Sequence, residues 1–552
     1  MILTVDIEAK SIGNKQLFSS LQFTVAPREK VGLIGRNGVG KTTLFHMLAG
    51  NDTDFSGTVQ LGRGVRLVST AQEHHAVAEQ SVLHYILHNL PEYSRLKHIL
   101  DTYPATMGDD VHKITTYSNA LERFSNLDYF RAEEEIVRSL EQYRITPAMA
   151  EAPMAQLSGG QKRFVELVRV EHADADIALI DEPTNHMDYA AKALFVEWLK
   201  AVRQTVLVIT HDRDVLQYVD KIIEIKDGRA LVFKGNYEAY LKQNVTITTM
   251  RMHDYEVGQR TLENLQQQIQ AVRAKKASTN KTPNPFIPLE RRLLKEYDDL
   301  ASQLDKPSFW IDRESAEGLG KKAGENYQKF KAKNIRIQGT RADTHASELL
   351  ALENVVLGYN DQPLFHPVQF RLSQGMRLRL IGRNGAGKTT LVQAIAAASR
   401  GEAVPTRLHG TIRCGTKLRF SIYEQELRSE DMQRTLAEAI EHIYRSHDLP
   451  ATDEVVKRVM GDYLFDPQQD GRLLVEQLSG GQKSRLQIIR MLAGNPNLLI
   501  LDEPTNHLDL PSIEELENAL ANYHGAILYI THDSYFAKNL GGDQLTLQQA
   551  AD

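Results

Sequence analysis

Gly35-Arg36-Asn37-Gly38-Val39-Gly40-Lys41-Thr42-Thr43 returns later in the chain as Gly382-Arg383-Asn384-Gly385-Ala386-Gly387-Lys388-Thr389-Thr390. Apolar-rich residues precede each copy, Val31-Gly32-Leu33-Ile34 and Leu378-Arg379-Leu380-Ile381. Glycines at this spacing let successive backbone N–H groups converge on phosphate oxygens, and the helix that follows adds its positive N-terminal end. The pattern predicts a strand, a phosphate-binding loop and a helix, which is an α/β fold. Lys41 and Lys388 are placed to reach the β- and γ-phosphates, with Thr42 and Thr389 on Mg²⁺. Because the pattern occurs twice, the chain holds two such domains.

Further repeats extend outward from these loops. Leu157-Ser158-Gly159-Gly160-Gln161 returns as Leu478-Ser479-Gly480-Gly481-Gln482. Asp181-Glu182-Pro183-Thr184-Asn185-His186-Met187-Asp188 returns as Asp502-Glu503-Pro504-Thr505-Asn506-His507-Leu508-Asp509, and Thr210-His211-Asp212 as Thr531-His532-Asp533. The phosphate loops lie 347 residues apart and every later pair 321 apart, so the first half carries 26 extra residues between its Lys and its Ser-Gly-Gly. Leu83, Ile86, Leu87 and Leu90 have helical spacing there, and a solvent-facing helical pair is expected within about residues 80–150.

The chain of 552 residues exceeds one ordinary core. It contains no apolar run long enough for a membrane helix, and Met1 to Asp6 reads as a strand and not as a signal peptide. Cys414 is the only cysteine, which rules out an internal disulfide and fits a reducing cytoplasm. Net charge is −6, yet residues 251–338 hold 17 Lys or Arg against 12 Asp or Glu, a local balance of +5. In that stretch Leu262, Leu265, Ile269 and Val272 share a helical face. Pro283, Pro285 and Pro288 are expected to break the helix, and Leu289–Leu304 reads as helical again. The stretch is therefore expected to form an antiparallel helical hairpin with its turn near Ser278–Pro288.

The Asp-Glu pairs follow apolar strands, Ile177-Ala178-Leu179-Ile180 and Leu498-Leu499-Ile500-Leu501. Asp181 and Asp502 are expected on Mg²⁺, and Glu182 and Glu503 to polarise the attacking water. His211 and His532, each 30 residues after its aspartate, are expected to sense the γ-phosphate.

Together these motifs resemble the ATP-binding cassette superfamily across both globular halves. The resemblance implies ATP and Mg²⁺ as cofactors, ATP hydrolysis as the activity, and a head-to-tail pairing in which the signature of one cassette covers the nucleotide held by the other. One site then joins Lys41, Gln72, Asp181, Glu182 and His211 to Ser479 and Gly481. The other joins Lys388, Gln425, Asp502, Glu503 and His532 to Ser158 and Gly160. Nucleotide contacts are expected from Gly35, Asn37, Gly38, Gly40, Thr42 and Thr43, and from Gly382, Asn384, Gly385, Gly387, Thr389 and Thr390. The full signatures, Ser158 to Gln161 and Ser479 to Gln482, join them, with Gln72 and Gln425 also on the metal. The family stacks an aromatic residue on adenine near the first strand. Tyr359 fits that role in the second half, whereas Ile12 stands at the matching place in the first.

Pro-Thr-Asn-His-Met/Leu-Asp after both glutamates resembles the ABC-F family, which also joins tandem cassettes by a charged helical hairpin. The resemblance implies a cytoplasmic, monomeric protein whose cassettes pair within one chain. Its expected partner is the ribosome, with the hairpin near rRNA and tRNA at the exit site, acting in translation or in protection from ribosome-targeting antibiotics. Lys275, Lys276, Lys281 and Phe286 are the candidate RNA contacts, with hairpin packing the other reading of Phe286. The competing readings are the ATPase subunit of a transporter with a separate membrane partner, and a DNA-directed cassette ATPase. The fold expected is thus two P-loop NTPase cassettes, 1–244 and 346–552, joined by a hairpin linker at 245–345 without a transmembrane domain.

Overall fold

The computed structural model describes residues 1–13, 15–71, 77–106, 108–185, 187–277, 286–303, 348–360, 362–404, 406–423, 427, 429–463, 465–478, 480–506, 508–521 and 523–550. Described residues of Met1–Tyr237 and Ala332–Asp552 form one unit, and those of Glu238–Lys331 a second.

In the first cassette β1 (Leu3–Ile12), β2 (Lys15–Phe18) and β3 (Leu21–Val25) open an antiparallel sheet. β4 (Lys30–Gly35) leads into the phosphate loop and α1 (Lys41–Leu48), and β5 (Ser56–Leu61) returns to pair with β1. After β6 (Leu67–Ser69) come five helices: α2 (Val82–His88), α3 (Tyr93–Thr106), α4 (Val111–Asn126), α5 (Ala132–Gln142) and α6 (Pro147–Glu151). The signature helix α7 (Gly159–His172), β7 (Ile177–Asp181), α8 (Tyr189–Ala201), β8 (Thr205–Ile209), α9 (Arg213–Leu216), β9 (Lys221–Lys226) and β10 (Arg229–Lys234) complete it.

The second sheet runs β10-β9-β4-β8-β7-β6, and all neighbours but β10 and β9 are parallel. Strands β4, β7 and β8 are buried at every position. That burial on both faces is why their sequences are nearly continuous apolar runs and do not alternate. In such sheets ligands bind beyond the carboxyl ends of the strands. The loop after β4, Asp181 at the end of β7 and His211 after β8 all lie at those ends.

In the second unit α10 (Tyr237–Ala277) and α11 (Phe286–Gln303) are the described helices. Leu265, Ile269 and Val272 are buried with Leu293, and Phe286, Leu294, Tyr297 and Leu300 pack against them. Of the helical face read from the sequence, Leu265, Ile269 and Val272 form the seam of this pair, and Leu262 is half-buried. Pro288 is a correction: it does not break the helix but sits in the first turn of α11. An N–H missing there costs no intrahelical bond.

The second cassette repeats the plan with β11 (Glu348–Tyr359), β12 (Gln362–Pro363), β13 (Val368–Ser373), β14 (Arg377–Ile381), α12 (Lys388–Ser399), β15 (Arg407–Cys414) and β16 (Phe420–Tyr423). Helices α13 (Ser429–Met432), α14 (Leu436–Ser446) and α15 (Asp453–Asp462) precede the signature helix α16 (Gly480–Ala493). β17 (Leu498–Asp502), α17 (Leu510–Ala521), β18 (Ala526–Ile530), α18 (Ser534–Leu540) and β19 (Asp543–Thr546) follow, in a parallel sheet ordered β16-β17-β18-β14-β19.

Val82 and Leu436 open matching helices 354 residues apart, whereas Ala132 and Asp453 open the next matching helices 321 apart. The added pair, α3 and α4, therefore accounts for 33 residues, partly hidden in the net 26 by seven residues the second half gains before α14. Its helices are mostly exposed and are closed at one end by Tyr93, Phe124, Tyr129 and Phe130, whose rings meet at 5.0–5.7 Å. Among the described residues no helix is long and apolar enough to cross a membrane.

Candidate active sites

Each phosphate loop turns on a glycine that no other residue replaces without strain. Gly40 and Gly387, at φ 103° and 85°, occupy the left-handed region just before α1 and α12. A Cβ on Gly40 would lie 2.9 Å from the Phe18 ring, and one on Gly387 2.9 Å from that of Phe365. Lys41 Nζ donates to the Gly35 and Arg36 carbonyls at 2.7 and 3.2 Å, and Lys388 Nζ to those of Gly382 and Arg383 at 2.7 and 3.0 Å. Both ammonium groups are buried, and burial draws both below the usual lysine range against the pull of nearby carboxylates.

Thr42 Oγ1 donates to Asp181 Oδ2 at 2.9 Å, and Thr389 Oγ1 to Asp502 Oδ2 at 2.7 Å. These are hard oxygen donors, two per site. Mg²⁺ suits such a set, since it keeps waters and takes phosphate oxygens to complete its shell. No described cluster of three or more His, Cys, Asp or Glu competes with them as a metal site.

Glu182 and Glu503 lie in the left-handed region at φ 44° and 46°, rare for a non-glycine residue and typical of functional turns. Their amides hold them to the adjacent strands: Glu182 N–H donates to Ile209 O at 2.9 Å and Glu503 N–H to Ile530 O at 3.0 Å. Burial pushes Glu182 up to about 8, against Lys41. Burial also pushes Glu503 up to about 7, against the His532 amide, Lys192 and Lys388. His211 Nε2 stands 3.5 Å from Glu182 Oε1, and His532 Nε2 stands 3.2 Å from Glu503 Oε1. Burial, aided by Lys41, holds His211 well below the usual imidazole range, and burial with Lys388 and Lys192 takes His532 down to about 3. Both imidazoles are neutral at physiological pH, and each has one N–H to give.

The sites are tied across the two cassettes by two matched bonds. Asp188 caps α8 through Oδ1 to Ala191 N–H at 2.9 Å, and its Oδ2 accepts the Asn384 N–H at 3.2 Å. Asp509 caps α17 through Oδ1 to Ser512 N–H at 3.1 Å, and its Oδ2 accepts the Asn37 N–H at 3.0 Å. One carboxylate thus closes its own helix and holds the opposite phosphate loop. The repeated motifs contain both aspartates and by themselves show no role for them. The available signal was their N-cap position before an apolar helix.

A buried ion cluster joins the same faces. Arg213, fully buried, donates to Glu517 Oε1 at 2.6 Å and to Asp533 Oδ2 at 3.0 Å. Nothing local in the sequence marks this triad, whose ends are 304 and 320 residues apart. A cavity of about 220 Å³ lies beside it, lined by Asn37, Glu182, His211 and Asp212 from the first cassette and by Thr505 and Ile513 from the second, among others.

Ser158 opens α7 with a capping box, its Oγ accepting Gln161 N–H at 3.3 Å while Gln161 Oε1 accepts Ser158 N–H at 2.9 Å. The matching Gln482 donates to Asp470 at 2.9 Å. Tyr359 and Ile12 end β11 and β1 and are both exposed, as an open platform for a base requires. Lys276 pairs with Glu290 at 2.6 Å, and Phe286 belongs to the hairpin seam. Gln72, Gln425, Ser479 and Lys281 lie outside the described residues.

The ABC transporter family matches residues 18–185 and again 365–506, and a second family of the same description matches 223–283. The probable ATP-binding protein YheS of Escherichia coli (strain K12) is 29% identical over 96% of this chain and 76% of its own length. The energy-dependent translational throttle protein EttA of the same strain is 26% identical over 97% of this chain and 90% of its own. Among solved structures, the RNase-L Inhibitor shares the fold at a TM-score of 0.56, with 17% identity, over 98% of this chain and 87% of that one.

Proposed function

Since this chain belongs to the ATP-binding cassette family, within it to the ABC-F type, and is an ATPase, we propose that ATP hydrolysis times its stay on the ribosome and so modulates translation. The similarity to a translational throttle protein over nearly the whole of both chains supports this reading. The observation that carries the closing step is the matched pair of bonds from Asp188 and Asp509 to the opposite phosphate loops. A nucleotide that orders either loop is sensed by the other cassette through one carboxylate.

In the reaction, Lys41 and Lys388 leave their loop carbonyls for the phosphates. Thr42 with Asp181, and Thr389 with Asp502, would hold Mg²⁺, and Gln72 and Gln425 would join them. When bound, the ion neutralises charge developing on the phosphate oxygens. Glu182 and Glu503 polarise the attacking water, and His211 and His532 donate to the γ-phosphate. Ser158 and Gly160 cover the nucleotide held by Lys388, and Ser479 and Gly481 the one held by Lys41. Tyr359 stacks on adenine in the second site.

The closed chain docks near the tRNA exit site with its hairpin directed at tRNA and rRNA, Lys275 and Lys281 supplying phosphate contacts. Protection against ribosome-targeting antibiotics is the alternative outcome of the same docking, favoured by the Pro-rich sequence Pro283-Asn284-Pro285. The test is co-sedimentation of the Glu182→Gln, Glu503→Gln chain with ribosomes. Binding is expected with ATP and not with ADP; absence of binding under both rejects the ribosome, and antibiotic susceptibility of cells carrying variants of that Pro-rich sequence separates the two outcomes.

A further inference from the structure

The two cassettes share their phosphate-binding side chains but not the ones that face each other around the sensor loops. At the 321-residue offset Lys192 corresponds to Ile513, Tyr189 to Leu510 and Arg213 to Ser534. From α8, Lys192 Nζ stands 2.6 Å from Asp212 Oδ2 and donates to the backbone carbonyl of His532 at 3.1 Å. Tyr189, three residues earlier on the same helix, brings its ring centroid 6.5 Å from the His532 imidazole. The His532 loop is held in its own cassette as well, by Arg379 Nη2 at 2.9 Å from the Thr531 carbonyl, where the first cassette has Gly32. Ile513, which stands where a second Lys192 would be, lines the same cavity as Lys192 and has no donor to offer His211.

We infer that Lys192 is a positioning residue that makes the two ATP sites unequal. It fixes the sensor loop of the second site by bridging the His532 carbonyl to Asp212, the neighbour of His211. The ammonium is largely buried, its side chain 16% exposed, so the bridge is little weakened by solvent. Any shift of the His532 backbone pulls on Asp212, and Asp212 caps α9 directly after the first sensor. The first site receives no matching restraint from Ile513. The second cassette holds the first sensor region by a different and neutral donor, Ser534 to Asp214, with no cation matching Lys192, so loss of Lys192 falls on the second site more than on the first.

The inference rests on Glu182 and Glu503 as the water-polarising groups, and the experiment keeps that assignment separate. ATP turnover of the full chain is measured in a Glu182→Gln background, leaving the second site active, and in a Glu503→Gln background, leaving the first. Lys192→Met keeps the aliphatic stem and removes the charge. It is expected to lower kcat about tenfold in the Glu182→Gln background, the worth of one charge-assisted hydrogen bond, with KM within about twofold. The Glu503→Gln background, touched through the Asp212 contact alone, is expected to lose clearly less, about threefold at most, and Lys192→Arg to restore most of the loss. Equal loss in both backgrounds, or no loss in either, overturns the inference. Should Lys192→Met fail to melt cooperatively, Ile513→Lys decides. A cation beside His211 is then expected to alter kcat in the Glu503→Gln background alone, and no change there overturns the inference. If the two single Gln parents turn over as fast as the unsubstituted chain, it is the glutamate assignment that fails.

Discussion

Between the helix that follows the phosphate loop and the signature helix, the first cassette places five described α-helices, α2 to α6, where the second places three, α13 to α15. That difference is large in residues and leaves the phosphate chemistry untouched, because α3 and α4 project from a helical layer and not from the strand ends. The opposite holds for Lys192 against Ile513 and Arg213 against Ser534. These are single-residue differences, but they face the sensor loops. Duplication has kept what touches phosphate alike and let the surface between the copies diverge. Equivalent motifs therefore do not make equivalent sites.

The largest test of the shared part is the paired glutamates. Glu182→Gln with Glu503→Gln is expected to lower ATP turnover about a thousandfold, as loss of general-base help does, in a steady-state phosphate-release assay. The two single variants are expected to differ from each other, and equal residual rates would break the comparison. Next comes the divergent face. Arg213→Met leaves Glu517 and Asp533 buried without their cation and is expected to cost about 3 kcal/mol in denaturant unfolding. Ser534→Ala, at the matching position, is expected to cost less than about 1 kcal/mol.

Gly40→Ala and Gly387→Ala should each cost about 2 kcal/mol by calorimetry, since both combine a left-handed backbone with a ring 2.9 Å away. Matching losses would sharpen the claim that the loops are the conserved part of the design. The smallest effect concerns the base. Tyr359→Ala is expected to weaken nucleotide binding at the second site about fivefold and Ile12→Tyr to tighten the first by a similar factor, read by titration with a fluorescent nucleotide.

Most of the phosphate chemistry was legible because it is local. Gly-x-x-x-x-Gly-Lys-Thr dictates loop, helix and cation within nine residues, and Asp181 with Glu182 follows its strand directly. The hairpin seam was legible for the same reason, Leu265, Ile269 and Val272 being spaced by one helical turn. Asp188 and Asp509 were visible as residues but not as partners of Asn384 and Asn37, since their contacts cross 196 and 472 residues of chain. Arg213, Glu517 and Lys192 escaped altogether. A buried ion pair between distant segments leaves no periodicity, and the repeat alignment that found the motifs treats Lys192 and Ile513 as unremarkable variation. Pro288 was misread because proline forbids a helix interior but not a first turn. The insertion was undercounted because offsets report only net length.

That same insertion gives the chain an internal blueprint for its own redesign. Where the first cassette spends α3 and α4, the second joins α14 to α15 by the six residues His447–Thr452. The molecule thus contains a worked splice junction. Grafting that short link between α2 and α5 would prune the projecting pair and leave one junction at which a fluorophore or a foreign module could be set.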